Sequence, residues 1–335
     1  MSAQNERLFL PPPGLFTSLS SGFEAVANHI AIILLPLGID LLLWLGPRLR
    51  MHTLMQPVIT SWTQLAQEGL LTSNQAQQMQ ELWEFALSRF NLFTLVRTFP
   101  VGIPSLVAGI SPSDTPLGHG LDWQISSTGE LLLTYALVSL VGFILGSVYL
   151  YSVARVTLRS GQNPLPAKNM AWSVTQACLV MLIWALLAFI LLIPGLLIMT
   201  LLALISPLLA QFVILLALLL SVWALIPVYF SAHGVFVYGQ NAFASMMQSL
   251  QLTRFTLPAS SLLLIIMFII SQGLAYLWRT PPETSWLLLV GIAGHAFVST
   301  ALVAGSFVYY RDTNAWLQVM LERLKNQAPS PSAQV

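Results

Sequence analysis

Charged residues are scarce in this sequence. Asp, Glu, Lys and Arg together make up 7% of its 335 residues, whereas hydrophobic residues make up 56%. Because a soluble domain is typically about one quarter charged, this chain lacks the polar groups that would cover a globular surface in water. None of these four residue types occurs between Asn169 and Thr253. A membrane span needs about 20 apolar residues, so this stretch alone holds two spans and their connection.

The sequence also has little net charge and little cysteine, and each shortage excludes a feature of the protein. The formal net charge is only +1, which disfavours nucleic acid as a partner. Cys178 is the only cysteine, so an intrachain disulfide is impossible.

Motifs of catalysis and of metal binding are also missing. No histidine stands three or four residues from another histidine or close to the cysteine, as zinc-binding helices require. Neither a Walker A loop nor a GxSxG nucleophile motif occurs. Two of the histidines could still bind a haem, although no pattern indicates one. We therefore expect no metal, no cofactor and no enzymatic activity.

The hydropathy pattern predicts an all-α polytopic membrane helix bundle with six transmembrane helices. Aromatic residues, which prefer the membrane–water interface, stand near the predicted ends of these helices. Pro194 and Pro207 leave three alternatives open for the connection between the third and fourth spans: a tight turn, a kink or a short re-entrant segment. The predicted spans are 29–45, 131–153, 173–199, 207–230, 260–278 and 286–310.

An even number of spans places both chain termini on one side of the membrane. The segments on that side carry eight Lys or Arg residues, and the segments on the other side carry five. Because cationic loops stay in the cytoplasm, the sequence predicts a multi-pass protein of the cell (inner) membrane with cytoplasmic termini. Residues 1–28 then form a segment with an interfacial amphipathic helix, and residues 311–335 form another amphipathic helix and a disordered tail.

Three apolar stripes at helical spacing lie on the predicted cytoplasmic side. They stand before the first span, between the fourth and fifth spans, and after the sixth span. Each stripe predicts a helix that lies in the headgroup region or continues a span beyond it. The stripes consist of Phe16, Leu19, Phe23 and Val26; of Phe243, Met246, Met247 and Leu250; and of Trp316, Leu317, Met320, Leu321 and Leu324.

A loop on the opposite side, residues 46–130, is too long to be unstructured coil. Its first half predicts two amphipathic helices, one beginning at Pro57 and one after a capping box of Thr72 and Gln75. Its second half is rich in Pro and Gly and predicts an ordered loop. Two interpretations stay open: a small cap with its own core, or a docking surface for another protein or for lipid. The apolar positions are Val58, Ile59, Trp62, Leu65 and Ala66, then Met79, Leu82, Trp83, Ala86, Phe90, Phe93 and Val96.

One acidic residue stands inside a predicted span. Asp40 has aliphatic neighbours and lies about six residues, or about 9 Å, below the outer end of the first span. An ionised carboxylate at this depth costs about 2.5–3.5 kcal/mol, so it needs a partner, a water-filled cavity or a proton. His295 in the sixth span lies at a comparable depth of about 13 Å. Asp40 and His295 are therefore the candidate intramembrane polar pair.

Three interpretations of Asp40 stay open. It forms a structural clamp with His295, or with hydroxyl and amide groups, and so fixes which helices pair. Alternatively, it is a protonatable site for proton-coupled transport or an ion ligand, or it tilts towards the outer headgroups and is solvated. Secondary polar candidates in the spans are Gln176, Gln211, Gln272, Ser299 and Thr300.

The sequence GFILG in the second predicted span is a small-xxx-small motif formed by Gly142 and Gly146. Such motifs permit helices to approach closely. Because they are frequent in membrane segments, packing within the bundle is favoured over a dimer interface.

The segment SMMQSLQLTRF, Ser245 to Phe255, leads through Pro258 into the fifth predicted span and contains Ser249, Leu252, Thr253 and Arg254. This pattern resembles the multi-span membrane domain that accompanies some bacterial glycerophosphoryl diester phosphodiesterases, and its stand-alone relatives. The resemblance implies a six-span membrane module with an amphipathic helix before the first span. It does not imply phosphodiesterase activity, because no His-Arg-Gly sequence occurs and no soluble barrel fits in the loops. The long outer loop also departs from the compact layout of that group.

These features favour a non-enzymatic scaffold, accessory or assembly subunit of a membrane complex. A small transporter or permease-like protein that uses Asp40 is the main alternative, and lipid handling is a weaker one. Besides the lipid bilayer, a protein partner is expected at the loop 46–130 or at the cytoplasmic amphipathic helices.

Overall fold

A computed structural model describes residues 12–70, 72–158 and 169–327. The described chain is almost entirely α-helical, as the sequence predicts. Its helices are α1 (Leu15–Asn28), α2 (Leu34–Leu45), α3 (His52–Gln67), α4 (Ser73–Arg89), α5 (Thr128–Val156), α6 (Asn169–Ile205), α7 (Pro207–Phe230), α8 (His233–Tyr238), α9 (Ala242–Trp278) and α10 (Leu288–Gln327). Two short strands, β1 (Arg48–Arg50) and β2 (Asp122–Gln124), pair in parallel, with Arg48 opposite Asp122.

The protein is a multi-pass membrane protein. Five helices among the described residues are each long and apolar enough to cross a bilayer: α5, α6, α7 with α8, α9, and α10. The segment from α1 to α2 adds a sixth crossing only if this bent pair is counted as one span. The predicted number of six is therefore the upper count.

Four of the observed helices are longer than the spans predicted for them: α5, α6, α9 and α10. The predicted interfacial segment before span five joins that span as α9, with a kink at Thr256 (φ −124°, ψ 22°). Pro258 explains the kink, because it lacks the amide donor and its ring crowds the preceding turn. Likewise α10 continues past the predicted end at Tyr310 to Gln327. Its total length is 40 residues, or about 60 Å. The sequence predicts a disordered tail over residues 326–335. Its first two residues, Asn326 and Gln327, belong to α10, and residues 328–335 lie outside the described residues.

The connection between α6 and α7 is a tight turn. Only Ser206 separates the two helices, and it caps α7 by accepting a hydrogen bond from the amide of Leu209 at 3.4 Å. Pro207 occupies the first helical position, where its missing amide is not needed. Pro194 lies inside α6, so neither a re-entrant segment nor a second break is present.

The chain divides into two compact units. Of the described residues, the first unit holds 12–29, 150–158, 169–269 and 301–327, and the second holds 30–149 and 270–300. In the first unit α1 packs closely on α10, because a Cβ on Gly22 would lie 2.3 Å from the backbone nitrogen of Gly305. In the second unit a core forms around Trp44 together with Leu106, Val107, Leu288 and Ile292.

The outer loop folds into a cap within the second unit. The predicted capping box is confirmed: Gln75 accepts from the amide of Thr72 at 3.0 Å, and Thr72 accepts from the amide of Gln75 at 3.3 Å. The predicted start of the first helix at Pro57 is wrong, since α3 begins at His52 and holds Pro57 in its interior. Part of the predicted stripe of α4 is also wrong, because Met79 and Leu82 are exposed.

Two arginines at the start of the cap are buried rather than free. Arg48 donates to the carbonyl oxygen of Ser113, and Arg50 donates to that of Ser88 and pairs with Asp122 at 3.2 Å. Burial lowers the pKa of the Arg48 guanidinium from its ordinary value, and the neighbouring Arg50 lowers it further. Both side chains therefore stabilise the cap from inside.

The GFILG motif packs within the chain, although not against another helix as its pattern predicts. A Cβ on Gly142 would lie 2.5 Å from the carbonyl oxygen of Val96, and one on Gly146 would lie 2.9 Å from the Cα of Gly102. The partner is the cap loop and not another helix. Both glycines let this loop lie directly on α5.

We expect Gly142→Ala to lower the thermal unfolding temperature of the purified protein in detergent. The added methyl group must displace the backbone near Val96, and overpacking of this kind costs about 1–3 kcal/mol. Gly195→Ala in α6 is the matched control, because its new Cβ meets no atom within 4 Å. Equal unfolding temperatures for both variants would contradict the close contact between loop and helix.

Candidate functional site

Asp40 is fully buried in α2, although its neighbours on the helix include exposed leucines. Its carboxylate accepts three hydrogen bonds from one short segment of the cap. The hydroxyl of Ser105 donates to Oδ1, the amide of Leu106 donates to Oδ2 at 3.0 Å, and the amide of Val107 donates to Oδ1 at 3.1 Å. We call this arrangement the Asp40 clamp.

The donors converge because Ser105 precedes a 3-10 turn, Val107–Gly109. The first amides of any helical turn lack partners within the turn and project beyond its N-terminal end. A negative charge at that end is therefore favoured. Ser105 serves both sides of the contact, since its oxygen also accepts from the amide of Ala108 at 3.0 Å. The Asp40 carboxylate thus caps the N-terminal end of a 3-10 turn that belongs to the outer loop.

The clamp accounts for a buried charge in this helix. Hydrogen bonds to charged groups contribute about 1.5–3 kcal/mol each, which together offset the cost of placing a carboxylate in the membrane. A cavity of about 10 Å³, lined by Leu43 and Val107 among others, lies beside it. That volume is at the lower limit for one water molecule, so the clamp has no room for a hydrated ion at that place.

The predicted pair of Asp40 with His295 is wrong. His295 is buried on α10, and within the described residues its Nδ1 has no hydrogen-bond partner. The cap loop supplies enough donors to satisfy the carboxylate, so no histidine is needed. Arg97, from the cap, interacts electrostatically with both Asp40 and His295 and is the residue that they share.

The secondary polar candidates fall into two groups. Gln176 accepts from the amide of Ala242 at 2.8 Å and so caps the start of α9. Thr300 accepts from the hydroxyl of Tyr149 at 3.0 Å, and Ser299 donates to the carbonyl oxygen of His295 on its own helix. Gln211 and Gln272 are exposed on the surfaces of α7 and α9. None of the five touches the Asp40 clamp in the described contacts.

A buried cluster in the first unit escaped the sequence analysis. Nε2 of His233 lies 3.0 Å from Oγ of Ser306, and the hydroxyl of Tyr229 donates to the same oxygen at 3.1 Å. Ser306 in turn donates to the carbonyl oxygen of Val303 at 2.7 Å. Since 73 residues separate His233 from Ser306, local spacing carries no signal for this contact.

The contact between His233 and Ser306 has the distance of a catalytic pair but not its surroundings. Both residues are buried, with exposed fractions of 4% and 0%. No carboxylate of the described residues bonds to Nδ1 of His233, so the ring is not oriented as in a triad. The serine proton is directed at Val303 and not at the histidine. The cluster is therefore explained by packing.

The segment that carries the family resemblance forms a packing face of α9. Ser245, Ser249 and Leu252 are fully buried at successive helical turns, and Thr253 is nearly so. Ser245 donates to the carbonyl oxygen of Ser231 at 2.6 Å and accepts from the amide of Val235 at 3.1 Å. Small hydroxylated residues are needed here because α8 approaches α9 closely.

No family model matches the chain, and no curated protein or solved structure is similar enough to match it. The resemblance of Ser245 to Phe255 to the phosphodiesterase-associated membrane domain stays a prediction. Function must therefore be argued from the geometry of this chain.

We expect Asp40→Leu to lower the stability of the protein strongly, by about 1–3 kcal/mol for each buried donor left without an acceptor. Asp40→Asn keeps one acceptor oxygen, so its loss should be smaller. The exposed Gln272→Leu on α9 is the control and should change little. Thermal unfolding in detergent measures all three variants.

Ser105→Ala tests whether the two sides of the clamp act together. If they do, the double variant Asp40→Asn with Ser105→Ala is less destabilised than the sum of the single changes. Additive losses would show that Asp40 and Ser105 stabilise the protein independently.

Proposed function

We propose that this protein is a non-enzymatic accessory or assembly subunit of a membrane complex. In this proposal the hairpin of α6 and α7, residues 182–225, docks against helices of another membrane protein. We call this segment the α6–α7 arm. The observation that supports it is the exposure of apolar side chains around the whole circumference of the arm.

Five consecutive residues of α6, Phe189 to Ile193, are exposed by 62%, 54%, 72%, 59% and 43%. Successive residues of a helix point about 100° apart, so these five cover every direction around the axis. In α7, Ile214 to Leu216 and Leu218 to Leu220 behave in the same way. Each helix of the arm packs on the other along one narrow line and leaves the rest uncovered.

The tip of the arm favours a protein partner over lipid alone. Leu204, Ile205 and Leu208 are exposed by 79%, 78% and 78%, beside the single connecting residue Ser206. A turn that emerges from the bilayer usually carries polar residues, because water surrounds it. An uncharged, apolar tip is stabilised instead by a neighbouring protein that keeps it away from water.

The transporter alternative receives less support. A proton or ion site needs access to water, whereas Asp40 is fully buried and accepts three hydrogen bonds from the cap.

The proposal also covers localisation: the cell membrane, with the cap outside and the chain termini in the cytoplasm. Two of the five cations on the cap side, Arg48 and Arg50, are buried and bonded within the cap. They serve the fold of the cap. Arg311 on the other side is buried and bonded in the same way, so the proposed orientation is supported by the counts of eight and five cations alone.

Photo-crosslinking tests the docking role. A photoreactive amino acid at Leu191 or Leu215 should give one discrete protein adduct in native membranes, and the same protein should co-purify stoichiometrically in mild detergent. Leu137 on α5, exposed by 54%, is the matched control and should give lipid adducts only. The double variant Leu191→Ala with Leu215→Ala should reduce co-purification without lowering the unfolding temperature, since neither side chain is buried.

Lipid adducts at all three positions, with a chain that purifies alone in several mild detergents, would count against the docking role.

Thiol labelling tests the orientation. In a Cys178→Ala background, Gln77→Cys on the cap should react with a membrane-impermeant maleimide in intact cells. Gln251→Cys on α9, also exposed, should react only after lysis. The reverse pattern would place the cap in the cytoplasm.

A further inference from the structure

Helix α4 carries two apolar surfaces, only one of which is used inside the cap. Ala76 and Leu87 are buried, and Trp83 is half-buried between them, on the face that packs against α3. Met79, Leu82 and Phe85 are exposed by 41%, 59% and 62%. These three residues form a separate strip, which we call the apolar flank of α4.

The apolar flank has a defined direction around the helix. At about 100° per residue, Met79, Leu82 and Phe85 fall within a sector of about 120° centred on Leu82. Gln77 and Glu84 project about 140° and 160° away from that centre. Arg89 projects within about 20° of the direction of Leu82. The contacts of the Arg89 side chain therefore show which part of the protein the flank faces.

Arg89 points to the turn between α9 and α10. Its guanidinium lies over the ring of Phe85 at 5.4 Å, and its Nη1 lies 3.5 Å from Oε1 of Glu283. Glu283 belongs to the short connection between Trp278 and Leu288, where two membrane helices end and begin. The flank thus shares a side of α4 with a contact to the ends of two spans.

One exposed tryptophan, Trp286, marks the same place as the membrane surface. Its exposed fraction is 52%, whereas Trp44 beside it is buried in the protein. Nε1 of Trp44 donates to the carbonyl oxygen of Glu283 at 2.9 Å, and the ring of Trp44 meets that of Trp286 edge to face at 5.8 Å. Tryptophan side chains prefer the headgroup layer, where one end is apolar and the other is hydrated. Arg89 therefore connects the end of α4 to the level of the lipid headgroups.

From this geometry we propose that the apolar flank of α4 lies in the headgroup layer of the bilayer, on the side where the turn between α9 and α10 emerges. Amphipathic helices bury such strips about 5–10 Å into the interface. The charges agree with lipid as the occupant. The two acidic residues of α4, Glu81 and Glu84, project about 100° and 160° away from the centre of the flank, and Arg89 on the flank is paired with Glu283. This inference does not depend on the docking role of the α6–α7 arm.

A fluorescent probe on the flank tests the proposal. The purified protein, in a Cys178→Ala background, carries the environment-sensitive dye NBD at Leu82→Cys and is reconstituted into phosphatidylcholine vesicles. The dye should emit at shorter wavelength and should lose more than half of its fluorescence when lipids carry a spin label near the headgroup. Gln77→Cys, on the opposite side of the same helix, should be quenched by aqueous iodide instead. Both sites are exposed, and the capping box of Thr72 and Gln75 is untouched, so both variants should fold.

Three outcomes would overturn the proposal. Iodide quenching of Leu82→Cys as strong as that of Gln77→Cys would place the flank in water. Protection that depends on the number of protein copies per vesicle would assign the flank to a second copy of the chain. Protection in native membranes that is lost in the vesicles would assign it to a protein partner.

Discussion

The cap of this protein depends on one buried carboxylate. Asp40 places a charge in an apolar helix. Three hydrogen-bond donors from a single turn of the loop offset the free energy of burying that charge. The benefit is reciprocal, because the amides of Leu106 and Val107 would also be unsatisfied without it. A charge that would destabilise an isolated span becomes the contact that fixes where the loop lies.

The rest of the second unit follows from that attachment. With the loop held over α2, Leu106 and Val107 join Trp44 in the core, and Val96 and Gly102 lie on the two glycines of α5. Arg48 and Arg50 then bond to carbonyl groups of the cap that no helix or strand satisfies. Small residues, buried cations and a buried acid thus solve one problem, which is to hold irregular backbone against membrane helices while supplying its polar groups with partners.

Local signals in the sequence predicted most of the fold. Pro207 indicated the start of α7, and the Thr72–Gln75 capping box indicated that of α4. After the sixth span the sequence left two alternatives, a separate interfacial helix or a continued span. The structure has the continued span: hydropathy falls at Arg311, yet α10 continues. A change in polarity marks the edge of the lipid, and a helix does not need to stop there.

The partners of Asp40 could not be predicted in the same way. Two of its three donors are backbone amides, which every residue except proline has, and they lie 66 and 67 positions away in the chain. Only Ser105 offers a side-chain signal, and serine is common in loops. His233 and Ser306 show the same limit, because tertiary contacts between distant residues leave no periodic pattern.

The single-residue turn at Ser206 has a consequence for biogenesis. With so short a connection, α7 cannot enter the bilayer long after α6, and the two must partition together as one helical hairpin. No charged side chain from Asn169 to Thr253 has to be carried across the hydrocarbon, so the step that usually opposes insertion of a hairpin is missing. Hydrophobic transfer alone is sufficient to drive this hairpin into lipid.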